Sequence, residues 1–151
     1  MRVSSKTGYG VQALFDMAFH GDGRAVQARE VAERQGVPLR YLEQILQELR
    51  RAGLVAAKRG PRGGYTLARP PEAIHLSEIV VALDGALGAT LPFDGSVRDG
   101  SRSVDVPALV FRELAERIEG VLAGVTLRDL VVRAETLGLA RATTVPQMYF
   151  I

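Results

Sequence analysis

Residues 54–69 read LVAAKRGPRGGYTLAR, and no other stretch restricts the fold as much. Two short runs suited to extended chain flank a segment with one proline and several glycines, which breaks any helix and turns the chain back on itself. The expectation is a β-hairpin. Its tip, KRGPRGG, places Lys58, Arg59 and Arg62 on a backbone that glycine lets approach another surface closely. Arg59 or Arg62 there suits the narrow minor groove of DNA. The segment is neither a P-loop nor a dinucleotide fingerprint, which disfavours a nucleotide-binding enzyme.

The chain ahead of the hairpin reads as helices. In SSKTGYGVQALFDMAFHG, Ser4 or Ser5 is a candidate cap, and Val11, Leu14, Phe15 and Ala18 recur at helical spacing. GDGR ends that helix. VQAREVAERQG predicts a short second helix with Val31 and Ala32 inward and Gly36 as its stop. After a tight VP turn, LRYLEQILQELRRAG puts Leu39, Leu42, Ile45, Leu46 and Leu49 on one face, with Gly53 at the end. Arg40, Tyr41, Glu43, Gln44, Gln47 and Arg51 fall partly or wholly outside that stripe, and such side chains reach base edges and phosphates. Two short helices across a tight turn make a helix-turn-helix, which alone is also a plain packing unit. A basic hairpin directly behind it makes a winged helix.

ARPPEAIHLSEIVVALDG predicts a Pro-Pro connector and a helix capped by Ser77, with Ile79, Val80 and Leu83 buried. Residues 88–107, rich in Gly, Ser and Asp and without periodicity, read as a mobile loop. A long helix follows, in which Leu109 or Val110, Leu114, Ile118, Val121, Leu122 and Val125 keep a 3-4 spacing. That stripe exceeds what the preceding elements need to cover. Pairing with the same helix of a second subunit is the expected sink, with packing inside one chain as the alternative. Thr126 then caps a shorter helix. The fold class expected is mainly α with a small β-hairpin: a winged helix-turn-helix with a long C-terminal dimerisation helix, in a homodimer. The divisions are 1–85 for the winged helix-turn-helix, 86–107 for the loop, 108–140 for the dimerisation helix and its successor, and 141–151 for a tail.

Charge is uneven along these divisions. Residues 1–69 hold twelve Lys and Arg against six Asp and Glu, while residues 70–151 hold seven against eleven. A basic first half suits a nucleic-acid face, and a solvated basic surface is the bland alternative. There is no cysteine, which excludes disulfides, thiol catalysis and thiolate metal sites. His20 and His75 lie far apart and read as packing or surface residues, so no zinc site is expected. The carboxylates scatter over helix surfaces, and no nucleophile or acid/base constellation marks an enzyme. No run of eighteen apolar residues suggests a membrane span, and MRVSSKTGYG lacks the apolar core of a secretion signal, so a cytoplasmic protein is expected.

MRVSSKTGYGVQAL, VAERQGVPLRYLEQILQELRRAGLV and KRGPRGGYTLARPPEAIHLSEIV together resemble the Rrf-two family of winged-helix regulators. The resemblance covers residues 1–85 almost continuously and extends through FRELAERIEGVLAGVTLRDLV. It implies a homodimeric transcription factor, usually a repressor, on double-stranded DNA with a dyad-symmetric operator. It further implies that Arg40, Tyr41, Glu43 and Gln44 read bases and that Arg59 enters the minor groove. Arg2, Ser4, Ser5, Lys6, Arg50, Arg51 and Arg62 would hold phosphates. Many members carry an iron–sulfur cluster on three cysteines, whose positions here fall near Phe93, Asp99 and Asp105. None supplies a thiolate, so no cofactor is expected. What remains is the cluster-free branch of the CymR type, which represses cysteine metabolism and closes on a similar aromatic peptide ending in isoleucine. In that branch the tail, here Tyr149, Phe150 and Ile151, enters the substrate site of cysteine synthase (O-acetylserine sulfhydrylase), where O-acetylserine competes with it. The bland alternative is a tail folded back on the dimer, and the runner-up function is a regulator answering another small molecule.

Overall fold

The computed structural model describes residues 3–90 and 106–142. Helix α1 (Ser5–His20) is the centre of the molecule, with α2 (Ala28–Gln35), α3 (Leu39–Arg51), α4 (Leu76–Asp84) and α6 (Leu127–Thr136) all packed on it. Ser4 caps α1, its hydroxyl oxygen accepting the Thr7 amide at 3.2 Å. The fully buried positions Gly10, Ala13, Leu14 and Met17 sit one step around from the stripe expected from the sequence. Phe15 and Ala18 belong instead to a second apolar cluster, where Phe19 meets Val131 and Ala134 of α6. A helix enclosed on two sides blurs the single stripe by which burial is read.

Gly36 ends α2 in the left-handed conformation (φ 65°), which a side chain would strain, and Val37 of the turn is buried. The hairpin forms as expected, with β1 (Val55–Lys58) antiparallel to β2 (Gly64–Leu67) and Val55 opposite Leu67. A third stretch of chain supports it. Val26, between α1 and α2, exchanges backbone hydrogen bonds with Tyr65 at 2.9 and 2.8 Å. Gly64 is needed beside it, because its φ is 147° and a Cβ would strike the Val26 carbonyl.

The cap of α4 corrects an expectation: it is His75, not Ser77. Glu78 accepts the His75 amide at 3.0 Å and is itself held by Arg69 at 2.6 Å, so the helix starts two residues earlier than a serine cap would place it. Part of the segment expected as loop from residue 86 is ordered into the fold. Leu87 is buried and its amide donates to Glu119 at 2.8 Å, and Leu87–Thr90 forms a short 3-10 turn. The loop positions Phe93, Asp99 and Asp105 lie outside the described residues.

Helix α5 (Val106–Ala123) rests on α4 and that turn, with Ala115 and Leu122 packed against Val80 and Leu87, and Ala108 is buried as well. Thr126 caps α6 as expected, in a reciprocal pair with Asp129. The connection from α5 to α6 is stitched to the segment ahead of α4. The Leu76 amide donates to the Val125 carbonyl and the Leu127 amide to the Ile74 carbonyl, both at 2.9 Å, with Ile74 and Leu127 wholly buried. Beyond α6 the chain turns at Gly138 and returns to the end of α1, where the Ala142 amide donates to His20 Nδ1 at 2.7 Å.

Candidate nucleic-acid interface

The sequence of α3 divides it cleanly. Leu42, Ile45, Leu46 and Leu49 have no exposure, so the opposite face must meet solvent or a partner. On that face Arg40, Gln44, Gln47 and Arg51 follow one another at steps of four, three and four, and with Glu43 and Glu48 they line a shallow groove. Gln47 is the residue that the resemblance leaves out, although its place outside the apolar stripe was legible from spacing. Tyr41 is different: it is half-buried, its ring edge-on to Tyr9 at 5.8 Å and packed against the core.

The hairpin carries Lys58, Arg59 and Arg62, all exposed. Among the described residues none of these three, nor Arg40, Arg50 or Arg51, is ion-paired. Cations used to hold the fold lie elsewhere, with Arg34 on Asp16 at 2.7 Å and Arg69 on Glu78 at 2.6 Å. Lys6 is intermediate, pairing with Glu48 at 3.0 Å and so tying α1 to α3 beside the groove. Ser5 is exposed, whereas Ser4 is occupied: its amide and hydroxyl both donate to Asp84 at the end of α4. Burial raises the Asp84 pKa, but the Ser4 bonds outweigh it and hold the carboxyl below its ordinary value. Arg2, Tyr149, Phe150 and Ile151 lie outside the described residues.

The five side chains expected to pair two subunits divide as well. Leu114, Ile118 and Val121 are exposed, by 42, 37 and 70%, and Val110 (47%) continues their line. Leu122 instead packs against the cluster of Val80, Leu87 and Ala115. Val125 lies past the end of α5, half-buried, with its carbonyl held by Leu76.

The sequence pattern of the Rrf2 family, described as an iron-dependent transcriptional regulator, matches residues 3–133. The chain is 37% identical over 142 residues to the HTH-type transcriptional regulator IscR of Photorhabdus laumondii, covering 93% of this chain and 85% of that one. It is 38% identical over 138 residues to the IscR of Vibrio cholerae, covering 91% and 79%. Among solved structures it is similar to T. potens IscR, with a TM-score of 0.74 and 40% identity over 93% of both chains. It is also similar to CymR, the global cysteine regulator of B. subtilis, with a TM-score of 0.70 and 28% identity over 88% and 98%.

The iron–sulfur group associated with this family does not fit the donors present. The chain has no thiolate to offer, and among the described residues no three His, Asp or Glu side chains gather closely enough to hold a metal. No described helix is long and apolar enough to cross a membrane. The relatives are regulators and not enzymes, the fold is theirs, and the basic hairpin follows the polar helix as a wing follows a recognition helix. The chain belongs to the Rrf2 family of winged-helix, DNA-binding transcriptional regulators.

Proposed function

We propose that the protein works as a homodimer on a dyad-symmetric DNA site, with α3 of each protomer in a major groove and the hairpin along the neighbouring minor groove. The line of Arg40, Gln44, Gln47 and Arg51, backed by the exposed Arg59 and Arg62, carries this reading. Arginine and glutamine make bidentate contacts to guanine and adenine edges, and helix-turn-helix dimers space two such helices by one turn of DNA. In this reading Arg40, Glu43 and Gln44 face bases, with Tyr41 supporting them from its half-buried place. Arg59 enters the minor groove. Arg2, Ser5, Lys6, Arg50, Arg51 and Arg62 hold phosphates, while Ser4 contributes through the helix terminus it caps. The apolar line from Val110 to Val121 supports pairing of two α5 helices, since one protomer alone leaves it in water.

Gel-shift titration on a selected operator tests this. Gln44→Ala should weaken binding by about 1–3 kcal/mol and relax the choice of base at one position. Arg59→Ala should also weaken binding by about 1–3 kcal/mol, most on sites whose minor groove is narrow, and lower the slope of affinity against salt by about one. Unchanged affinity in both variants would overturn the assignment of the contact face.

The signal that this dimer reads, in our proposal, is sulfur supply, with repression of cysteine-metabolism genes as the output. Two observations support this over cluster sensing: the absence of any thiolate, and similarity to a structure described as a global cysteine regulator. The segment Tyr149, Phe150 and Ile151 would then engage cysteine synthase, where an aliphatic side chain suits a small apolar pocket. Calorimetry of the full chain against that enzyme should show binding that O-acetylserine displaces and that removal of Ile151 abolishes. Full binding without Ile151 sinks this finer reading and leaves the DNA assignment standing, with another small molecule as the signal.

A further inference from the structure

The return of the chain to α1 is held by a small set of contacts around one imidazole. The Ala142 amide donates to His20 Nδ1 at 2.7 Å. Arg141 lies over the Phe19 ring, 5.5 Å from its centroid, and pairs with Glu135 at 2.7 Å and Asp22 at 3.9 Å. On its other side His20 Nε2 faces the buried Asp16 at 4.0 Å, and Asp16 is already held by Arg34 and Gln35 of α2. Because Nδ1 accepts a hydrogen bond, the ring hydrogen is assigned to Nε2 and the imidazole is neutral.

We propose that His20 is a proton-operated latch: neutral, it holds residues 141 and 142 against α1, and charged, it lets them go. A protonated ring carries hydrogen on both nitrogens, so Nδ1 loses the lone pair that accepts the Ala142 amide. The charge would also stand beside two cations, Arg141 on the returning segment and Arg34 on α2, with Asp16 as the opposing anion. Released, residues 141 and 142 are rooted at Gly138 and no longer beside the turn between α1 and α2. The latch requires neither DNA nor a second protein and stands apart from the functional reading above.

Burial is the main cause that lowers the His20 pKa from its ordinary 6.5; Asp16 works against it, and Arg34 and Arg141 add to the lowering. A base depressed by folding favours the folded latch while neutral. Its contribution is therefore whole above the unfolded value and is lost as pH falls through the lower folded value.

Hydrogen exchange of the Ala142 amide in the full chain, corrected for the intrinsic rate, tests the latch, with the Leu46 amide as a core reference. Between about pH 7.5 and about one unit below the His20 midpoint, protection of Ala142 should fall about tenfold while Leu46 is unchanged. His20→Gln retains an acceptor that does not titrate, so its Ala142 protection should not respond to pH. Equal wild-type protection at both pH values overturns the proposal, as does a fall that Leu46 shares or one that persists in His20→Gln. Should the variant fail to fold, the wild-type comparison still decides, read beside the NMR titration of His20 against His75.

Discussion

Asp16 has no exposure, an unusual place for a carboxylate, and it is tolerated because three donors converge on it. Arg34 donates from Nε at 2.9 Å and from its terminal nitrogen at 2.7 Å, and Gln35 donates at 2.9 Å. Asp16→Ala strands the guanidinium, which can still reach water; the expected loss is about 3 kcal/mol, the low end for a broken buried pair, read from the urea midpoint. Nothing in FDMAF marks Asp16 as inward or Arg34 as its partner, since pairing across two helices leaves no local pattern. Ser4 teaches the same lesson. Its role as a cap was legible, but its second role, binding Asp84, spans 80 residues. The Asp84 carboxyl is held low by that contact, so its contribution is present above about pH 4 and is lost as pH falls further. Ser4→Ala should therefore show a shallower loss of stability across acid pH, checked by denaturation at successive pH values.

Among helices and strands, burial is legible in the sequence where one face is buried and the other wet. Helix α3 meets that condition; the hairpin, with Val55 buried, the rest of β1 exposed and all of β2 half-buried, is legible instead from the glycines and proline of its turn. Helix α1 does not meet it, because α6 covers the side that the first core leaves open. Its two glycines show the difference. Gly8 is exposed with open space around it, and Gly8→Ala should raise stability by up to about 1 kcal/mol through helix propensity. At Gly10 an added Cβ would collide with Leu83 and touch Ile45 and Ile79, because α1 crosses α4 there. Overpacking of about 1–3 kcal/mol exceeds the propensity gain, so Gly10→Ala should lower the melting temperature. Both variants can be compared in one thermal scan. The α4 cap is hidden from the sequence because histidine is a rare cap, and the bond that defines it goes to Glu78.

For the whole molecule, the apolar line of Val110, Leu114, Ile118 and Val121 is the unmet demand that bears on assembly among the described residues. Placing a carboxylate in its middle, Ile118→Glu, should shift the protein to monomers in sedimentation and reduce operator affinity at least tenfold, because two half-sites would no longer be bound as one unit. The fold of a lone protomer should survive, since Ile118 is already exposed. The spacing makes this surplus visible, although Leu122 also packs within the chain and Val125 lies past the end of α5. The tail residues 149–151 remain readable only as composition.

The pairing of Ile74 with Leu127 also sets a timetable for the newborn chain. Charge and motifs divide the protein near residue 85, yet Phe19 and Ile74 also pack against α6, the last of the described helices. A ribosome adds about 5–20 residues per second, and roughly forty residues separate the end of α4 from the start of α6. For several seconds the reading head is therefore complete in outline but open on one flank, until α6 emerges and closes it.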